Sequence, residues 1–423
     1  MIHRARVALG RRGPVPRPEP LLSRVGASAR QNERAVGRHE PIKAIVFSHN
    51  LDFEGASISL NELVVELLHR GVITPELVSF EDGPLRSEYA TQGISVDVVP
   101  GSLCKVSTLK RLNMEVDRLA LRIRQTEARL VLVNTLLSFM AVLAAERAGV
   151  PSIWIIRESE PWNQYFGFLP DPVAQQAIAA IGLPGRVVFV AHATRKVWET
   201  FDTRQCFDVI HNGIDLDRFP LRSDEAERVR CREALALQVN SIAILCVGTL
   251  CDRKNQLDLV DACALLPEAI ARRVHILLVG DGRGEYAETL KKRCHSLAVN
   301  CRDWIRTFPP TESIASFYAA ADLFVLTSKV ESFPRVVLEA MAFGLPIITT
   351  PVYGVVEQVV ERENALFYQP GDSPMLAKHI ECLVRDDAYR LQMANNSLQH
   401  ASQMATFDEM VNAYTSVCRE AVT

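Results

Sequence analysis

Short apolar runs alternate with segments of helical spacing over nearly the whole chain, from Ile42 to Gln369. The first series reads IKAIVFSH, ELVSF, SVDVVP, LVLVN, SIWII, VVFVA and DVI. Between these runs lie apolar residues three and four apart, as at Leu60, Leu63, Val64, Leu67 and Leu68 before Gly71. Strands separated by helices are joined by crossovers, which predicts parallel βαβ units in a doubly wound sheet with right-handed connections. HNGIDLDRF (His211–Phe219) ends this series, and a second one begins: IAILCVG, VHILLVG, a weak VNCRDW, LFVLTS, PIITT and ALFYQ. Two such units in succession leave a cleft between them. The expected fold class is α/β, with two Rossmann-like doubly wound domains facing across a cleft. The length of 423 residues suits two domains of about 200 each. We place them at residues 41–215 and 216–405. From Asp372 the chain reads as helix in two or three pieces, and the last, within residues 406–423, is expected to pack back on the first domain.

Residues 1–40 are a different material, with nine arginines, four prolines, three acidic residues and no lysine. They read as a disordered basic arm. That character overlaps an organelle transit peptide, and an upstream extension without a fold suits it as well; the apolar core of a secretory signal is missing. The net charge of −3 gives no argument for a nucleic-acid partner. Ten cysteines are scattered without a CxxC, Cys246 and Cys251 being closest, which suits a reduced, cytoplasmic protein whose cysteines act as small hydrophobes. No apolar run reaches the length of a membrane span.

Leu323–Thr350 carries the densest chemistry: strand, loop, helix, turn and buried strand. Pro334 suits the first position of a helix, and Gly344 with Pro346 suit its stop. Glu331 then stands at the C-terminal end of a strand beside a helix N-terminus, and Glu339 lies on the second helical turn. In open α/β sheets ligands bind at that end of the strands, and helix N-termini favour anions. A lone pair of glutamates is more simply read as surface charge. Three features join it. In VGTLCDRKN, Arg253 and Lys254 follow a strand and suit a pyrophosphate, the arginine by a bidentate fork and the lysine as a point charge. In LLVGDGRGE the glycine turn around Gly280 reads GxGxG rather than the dinucleotide GxGxxG, so it indicates backbone approach to a ligand but not NAD. Tyr318–Ala321 and Asp322 form a helix end leading into the strand before Glu331.

Taken in order, NGIDLDRF, VGTLCDRKNQ, LLVGDG, YAAADLFVLTS, ESFPRVVLEAMAFGLPIITT and ALFYQPGD resemble glycosyltransferase family 4, of the GT-B two-domain fold, over nearly all of Lys43–Val422. Glu331 and Glu339 match its two glutamates separated by seven residues. The resemblance implies a retaining enzyme that takes a nucleotide-diphosphate sugar as donor and requires no metal or other cofactor. Lys254, and by position Arg253, would hold the diphosphate; Glu339 the ribose; Glu331 would lie against the donor sugar. Backbone N–H groups of Phe333, Arg335 and Val336 would reach the sugar and phosphate, and Gly55, in EGAS, would let the first helix approach from the other side. The sequence departs from the family pattern at Thr249, where arginine is frequent; at Arg157 or Glu158, where a histidine commonly faces the sugar; and at Pro334, where glycine is usual.

Retention implies front-side displacement, the diphosphate taking the acceptor proton. Inversion would instead need a base, with Asp52, Glu54 and Glu158 as candidates. Asp215 and Asp217 have a DxD spacing but lie in the linker, so a metal role is not expected, and His49, His192 and His211 read as isolated structural histidines. Cys104 has no partner motif. For the acceptor, a sugar or lipid-linked molecule, Lys105–Arg129 carries seven basic residues against three acidic ones, with Val106, Leu109, Leu112, Val116, Leu119, Leu121 and Ile123 as an apolar face. A basic amphipathic helix of this kind rests on anionic lipid or simply packs on its own sheet, which leaves peripheral membrane contact open. Two other readings stand beside transfer: a nucleotide-sugar epimerase of GT-B layout, and a non-catalytic nucleotide-sugar-binding protein.

Overall fold

The computed structural model describes residues 40–99, 106–216, 225–282, 284–297, 304–311 and 313–423. The basic arm before Glu40, Lys105, Cys104, Asp217 and most of VNCRDW lie outside the described residues. Residues 40–423 form one compact unit.

It contains two fully parallel sheets. The first has seven strands, β1 (Ile42–Ser48), β2 (Ile73–Ser79), β3 (Ser95–Val98), β4 (Leu130–Asn134), β5 (Ser152–Ile156), β6 (Arg186–Phe189) and β7 (Phe207–Val209), in the order 3-2-1-4-5-6-7. The second has six, β8 (Ile242–Val247), β9 (Val274–Val279), β10 (Ile305–Phe308), β11 (Leu323–Leu326), β12 (Ile347–Thr349) and β13 (Ala365–Phe367), in the order 10-9-8-11-12-13. Most of VNCRDW is outside the described residues, and just after it Ile305–Phe308 pair with Ile276–Val279.

The apolar runs are continuous because both faces of each sheet are covered. Along the central strands of the first sheet, Ile45, Phe47, Val131, Val133 and Trp154 face one core, while Ala44, Val46, Leu130, Leu132 and Ile153 face another. The second sheet divides in the same way, with Leu245, Leu277 and Phe324 on one side and Ile244, Leu278 and Val325 on the other.

Two segments connect the domains, and they run together. Ile214 and Thr406 form a parallel bridge, with Ile214 N–H donating to Ala405 O at 3.1 Å and Phe407 N–H to Ile214 O at 3.1 Å. A Cβ on Gly213 would lie 2.3 Å from Thr406 O, so only glycine allows the two segments this close. The helix Phe407–Glu420 opens on a capping box, Thr406 with Glu409. Its Met410, Val411, Tyr414 and Val417 enter the first domain's core beside Leu60, Leu63 and Val64.

The segment after β4 opens with a 3-10 turn, Leu136–Ser138, before the helix Phe139–Ala148. On the helix Leu109–Gln125, Leu112, Val116, Leu119 and Ile123 are buried, but Leu109 and Leu121 are exposed with Met114. The single apolar face expected there is therefore narrower, because a 100° advance per residue turns Leu121 outward.

Candidate active site

In each sheet the strand order reverses between the first strand and its outer neighbour, β1 and β4 in one, β8 and β11 in the other. Chains leaving such neighbours turn in opposite directions, and the crevice between them is where open α/β sheets bind ligands. The loops after β1, β8 and β11 carry Glu54 and Gly55, Arg253 and Lys254, and Glu331.

On the second domain these groups meet. Lys254 Nζ lies 2.5 Å from Glu331 Oε1, which also accepts from Ser328 Oγ at 2.6 Å. The Arg253 guanidinium is 4.0 Å from the second carboxylate oxygen. The loops are fastened to each other: Thr327 Oγ1 donates to Lys254 O at 2.6 Å and Lys329 N–H to Arg253 O at 2.8 Å. Burial pushes the Glu331 carboxyl up, but Lys254 and Arg253 outweigh it and hold the group below the usual carboxylate range. Glu331 is buried while the Arg253 side chain is 46% exposed, which leaves the arginine open to an anion.

The helix Arg335–Ala342 begins at Pro334, which stands at its N-cap, one position before the expected one. No side chain caps this end, so its first-turn N–H groups suit an anionic ligand. Glu339 accepts from Tyr318 Oη at 2.9 Å and lies 3.9 Å from Arg335 Nε; burial raises its pKa. Arg335 grips Glu62 of the first domain with both terminal nitrogens. Burial opposes that charge, but Glu62 raises the arginine's pKa well above its usual value. Arg335 thus bridges the domains through its side chain, a role additional to the backbone one expected.

The loop Glu331–Pro334 is pinned to the first domain. Ser159 Oγ donates to Ser332 Oγ at 2.8 Å, Ser332 Oγ to Arg157 O at 2.7 Å, and Asn212 Nδ2 to Phe333 O at 2.8 Å. A Cβ on Gly354 would lie 1.6 Å from Ser332 O and 2.8 Å from Ala191 Cβ, so the domains touch there without room for a methyl group.

On the first domain, Gly55 starts the helix Gly55–His69, exposed, with open space where a Cβ would stand. Gly280 has a different reason to be glycine: a Cβ would lie 2.1 Å from Gly248 O, so it permits two loops to cross. The Arg157 guanidinium is taken up by Asn134 Oδ1 at 2.8 Å and Asn212 Oδ1 at 3.0 Å. Glu158 accepts from Leu136 N–H at 3.1 Å and Arg157 N–H at 3.0 Å. Burial pushes Glu158 up to about 7 against those donors and His49. His49 is not isolated: its Nε2 lies 2.5 Å from Glu54 Oε1. Burial raises the Glu54 carboxyl, but His49, Asn50 and, more weakly, Arg253 from the second domain bring it below its usual value. Asp322 is structural, accepting from Arg228 at 2.6 Å, Arg232 at 3.0 Å and Ala243 N–H at 2.9 Å. The sequence named His49 only as an isolated structural histidine and Tyr318 only as part of a helix end; Ser328 and Glu62 carried no signal in it.

Comparison with known families fits this geometry. Residues 53–218 match the family model described as Glycosyltransferase Family 4, and residues 228–400 match Glycosyl transferases group 1. The chain is a group 1 glycosyltransferase of family 4. A D-inositol 3-phosphate glycosyltransferase of Xylanimonas cellulosilytica is 33% identical over 217 residues, 50% of this chain and 51% of that protein. Another, of Salinispora arenicola, is 27% identical over 383 residues, 85% of this chain and 80% of that one. Apart from such longer matches, the chain spans about half the length of the curated relatives it matches. The crystal structure of Anabaena HepE with UDP-glucose has the same GT-B fold, with a TM-score of 0.75 at 21% identity, covering 90% of this chain and 100% of that one.

Proposed function

We propose that this glycosyltransferase moves a hexosyl group from a nucleoside-diphosphate sugar to an acceptor hydroxyl with retention of configuration. The observation that carries this reading is the Lys254–Glu331 contact of 2.5 Å, with Arg253 beside it, at the switch point of the second sheet. The bond from the anomeric carbon to the diphosphate oxygen breaks, and the acceptor oxygen bonds that carbon on the same face. The acceptor proton passes to the departing diphosphate. Arg253, Lys254 and the helix N-terminus at Arg335 and Val336 meet the charge that grows on the diphosphate, so neither a metal nor another cofactor is needed. Glu339 accepts from the ribose hydroxyls by turning from Tyr318, and Gly55 leaves room for the donor on the first-domain side.

HepE was solved with UDP-glucose, and two sequence relatives bear the name D-inositol 3-phosphate glycosyltransferase. Those names support a UDP-sugar donor and a polyol or sugar-phosphate acceptor. A thermal-shift panel of UDP, GDP, ADP and their sugars tests the donor, since a ligand that binds only the native state raises the melting temperature. No shift with any of them sinks the reading. NMR of the product anomer tests retention; inversion would move attention to Asp52, Glu54 and Glu158. Incubation with nucleotide sugar alone separates an epimerase, which gives an epimer without acceptor.

Among the described residues no helix is long and apolar enough to cross a membrane. The helix Leu109–Gln125 exposes Met114 and Leu121 beside Lys110 and Arg118. That outer strip supports peripheral contact with an anionic membrane from the cytoplasmic side and a lipid-linked acceptor. Co-sedimentation with anionic liposomes at low salt checks it, and absence of binding removes it.

A further inference from the structure

We propose that His192, His211 and Glu357 form a binding site for a borderline divalent metal such as Zn²⁺, at the seam between the domains and beside the Phe333 loop. Each offers one ligand atom, and these atoms lie within 4.8 Å of one another; among the described residues they are the one group of three with such spacing. The three are far apart in sequence. His192 begins the helix His192–Trp198, His211 follows β7, and Glu357 ends the 3-10 segment Tyr353–Glu357 of the second domain.

The arrangement already resembles a liganded one. His211 Nε2 and Glu357 Oε2 are 3.0 Å apart, near the spacing of about 3.3 Å between neighbouring ligands of a tetrahedral zinc. The two imidazoles stand edge to face, 5.4 Å between centroids, so a rotation of the more exposed His192 brings its nitrogen in. The other two ligands are held by groups behind them. The carboxylate accepts from the backbone N–H of His192 at 3.0 Å and of Ala193 at 2.7 Å. The His211 ring lies flat on Phe333, 4.6 Å between centroids and 9° between planes. Such outer contacts fix ligand orientation in metal sites. Two imidazoles and a carboxylate select zinc or its neighbours over Mg²⁺ and Ca²⁺, which take oxygen ligands.

A metal here ties the second domain to the first beside the Phe333 loop, and its role is structural. The proposal stands whether or not the donor reading holds. The test uses the full chain, freed of metal with a chelator and titrated with Zn²⁺ and Co²⁺. One equivalent of Zn²⁺ is expected to bind and to raise the melting temperature. His192→Ala and Glu357→Gln each weaken binding by about 10–100-fold or more. The Co²⁺ complex is expected to lack thiolate charge-transfer bands, which separates this site from cysteine binding at exposed Cys382. Absence of saturable binding, binding unchanged in His192→Ala, or thiolate bands each overturns the proposal. The histidine variant decides between a metal site and a plain His211–Glu357 ion pair, because the ion pair does not need His192.

Discussion

Burial pushes the Glu158 carboxyl toward neutrality, and the consequence is measurable in Glu158→Gln. In the unfolded chain its pKa returns to the ordinary 4.5, whereas in the fold it stands at about 7. The folded pKa is the higher one, so the native state holds the proton more tightly. The group therefore costs stability as pH rises from the unfolded value through the folded one, and the cost is complete above it. With those two values the penalty is about 1 kcal/mol at about pH 5 and about 3 kcal/mol at about pH 8. Glutamine preserves the shape and carries no charge, so it removes the penalty. Glu158→Gln should gain about 2 kcal/mol relative to the parent between those pH values, other titrations cancelling in the difference. Urea unfolding of both proteins at each pH reads it as a growing separation of midpoints. A difference that stays flat with pH, or shrinks as pH rises, refutes the reasoning. It would mean that Leu136 N–H, Arg157 N–H and His49 outweigh burial.

Lys254→Met should lower the transfer rate by about 10²–10³-fold, the usual loss when one preorganised donor to a developing oxyanion is removed; steady-state kinetics with the donor identified by thermal shift reads it. Glu331→Gln should lower kcat while leaving KM for the donor nearly unchanged, because its carboxylate acts on charge that appears only in the transition state. A double-mutant cycle of Glu62→Gln and Arg335→Gln should give a coupling of about 1–3 kcal/mol in chemical denaturation, and a coupling near zero would deny that this pair joins the domains. Gly354→Ala forces Cβ against Ser332 O and Ala191 and should cost about 1–3 kcal/mol, seen as a lower melting temperature.

Much of the fold was legible because parallel strands covered on both faces are written as unbroken apolar runs, such as LVLVN and SIWII, bounded by helical spacing. Short edge strands are written more faintly. Ile305–Phe308, with no fully buried residue, follows the weak VNCRDW run, most of which lies outside the described residues. At the site, Arg253, Lys254, Glu331 and Glu339 stood out because strand–turn–helix order fixes where they project. Their partners did not. Tyr318 meets Glu339 from another helix, Glu62 meets Arg335 across the cleft, and Glu357 meets His211 across 146 residues. Such meetings depend on how two domains are set against each other, which local spacing does not encode. Gly280 shows the converse: a glycine readable in the sequence, whose reason is a backbone crossing visible only in three dimensions.

A buried carboxylate in the proposed diphosphate site is unfavourable at first sight, since like charges repel. Under the proposed mechanism timing resolves this. In the free protein Glu331 holds Lys254 at 2.5 Å, so the lysine is placed before any ligand arrives. Ser328 and the bonds joining the loops after β8 and β11 keep both groups in register. In the proposed transfer, as the glycosidic bond breaks, negative charge gathers on the diphosphate and positive charge on the sugar ring. Lys254 is then drawn toward the phosphate, and the electrostatic hold of Glu331 is released toward the ring. One ion pair thus becomes two stabilising contacts in the transition state, at no cost of reorganising the loops. On the proposed reading Arg253, half exposed, 4.0 Å from Glu331 and donating to Val330 O at 3.3 Å, supplies ground-state affinity for the donor. Arg253→Ala should therefore raise the donor KM more than it lowers kcat, the opposite of Glu331→Gln, and equal effects of the two variants on both constants would exclude this division of labour.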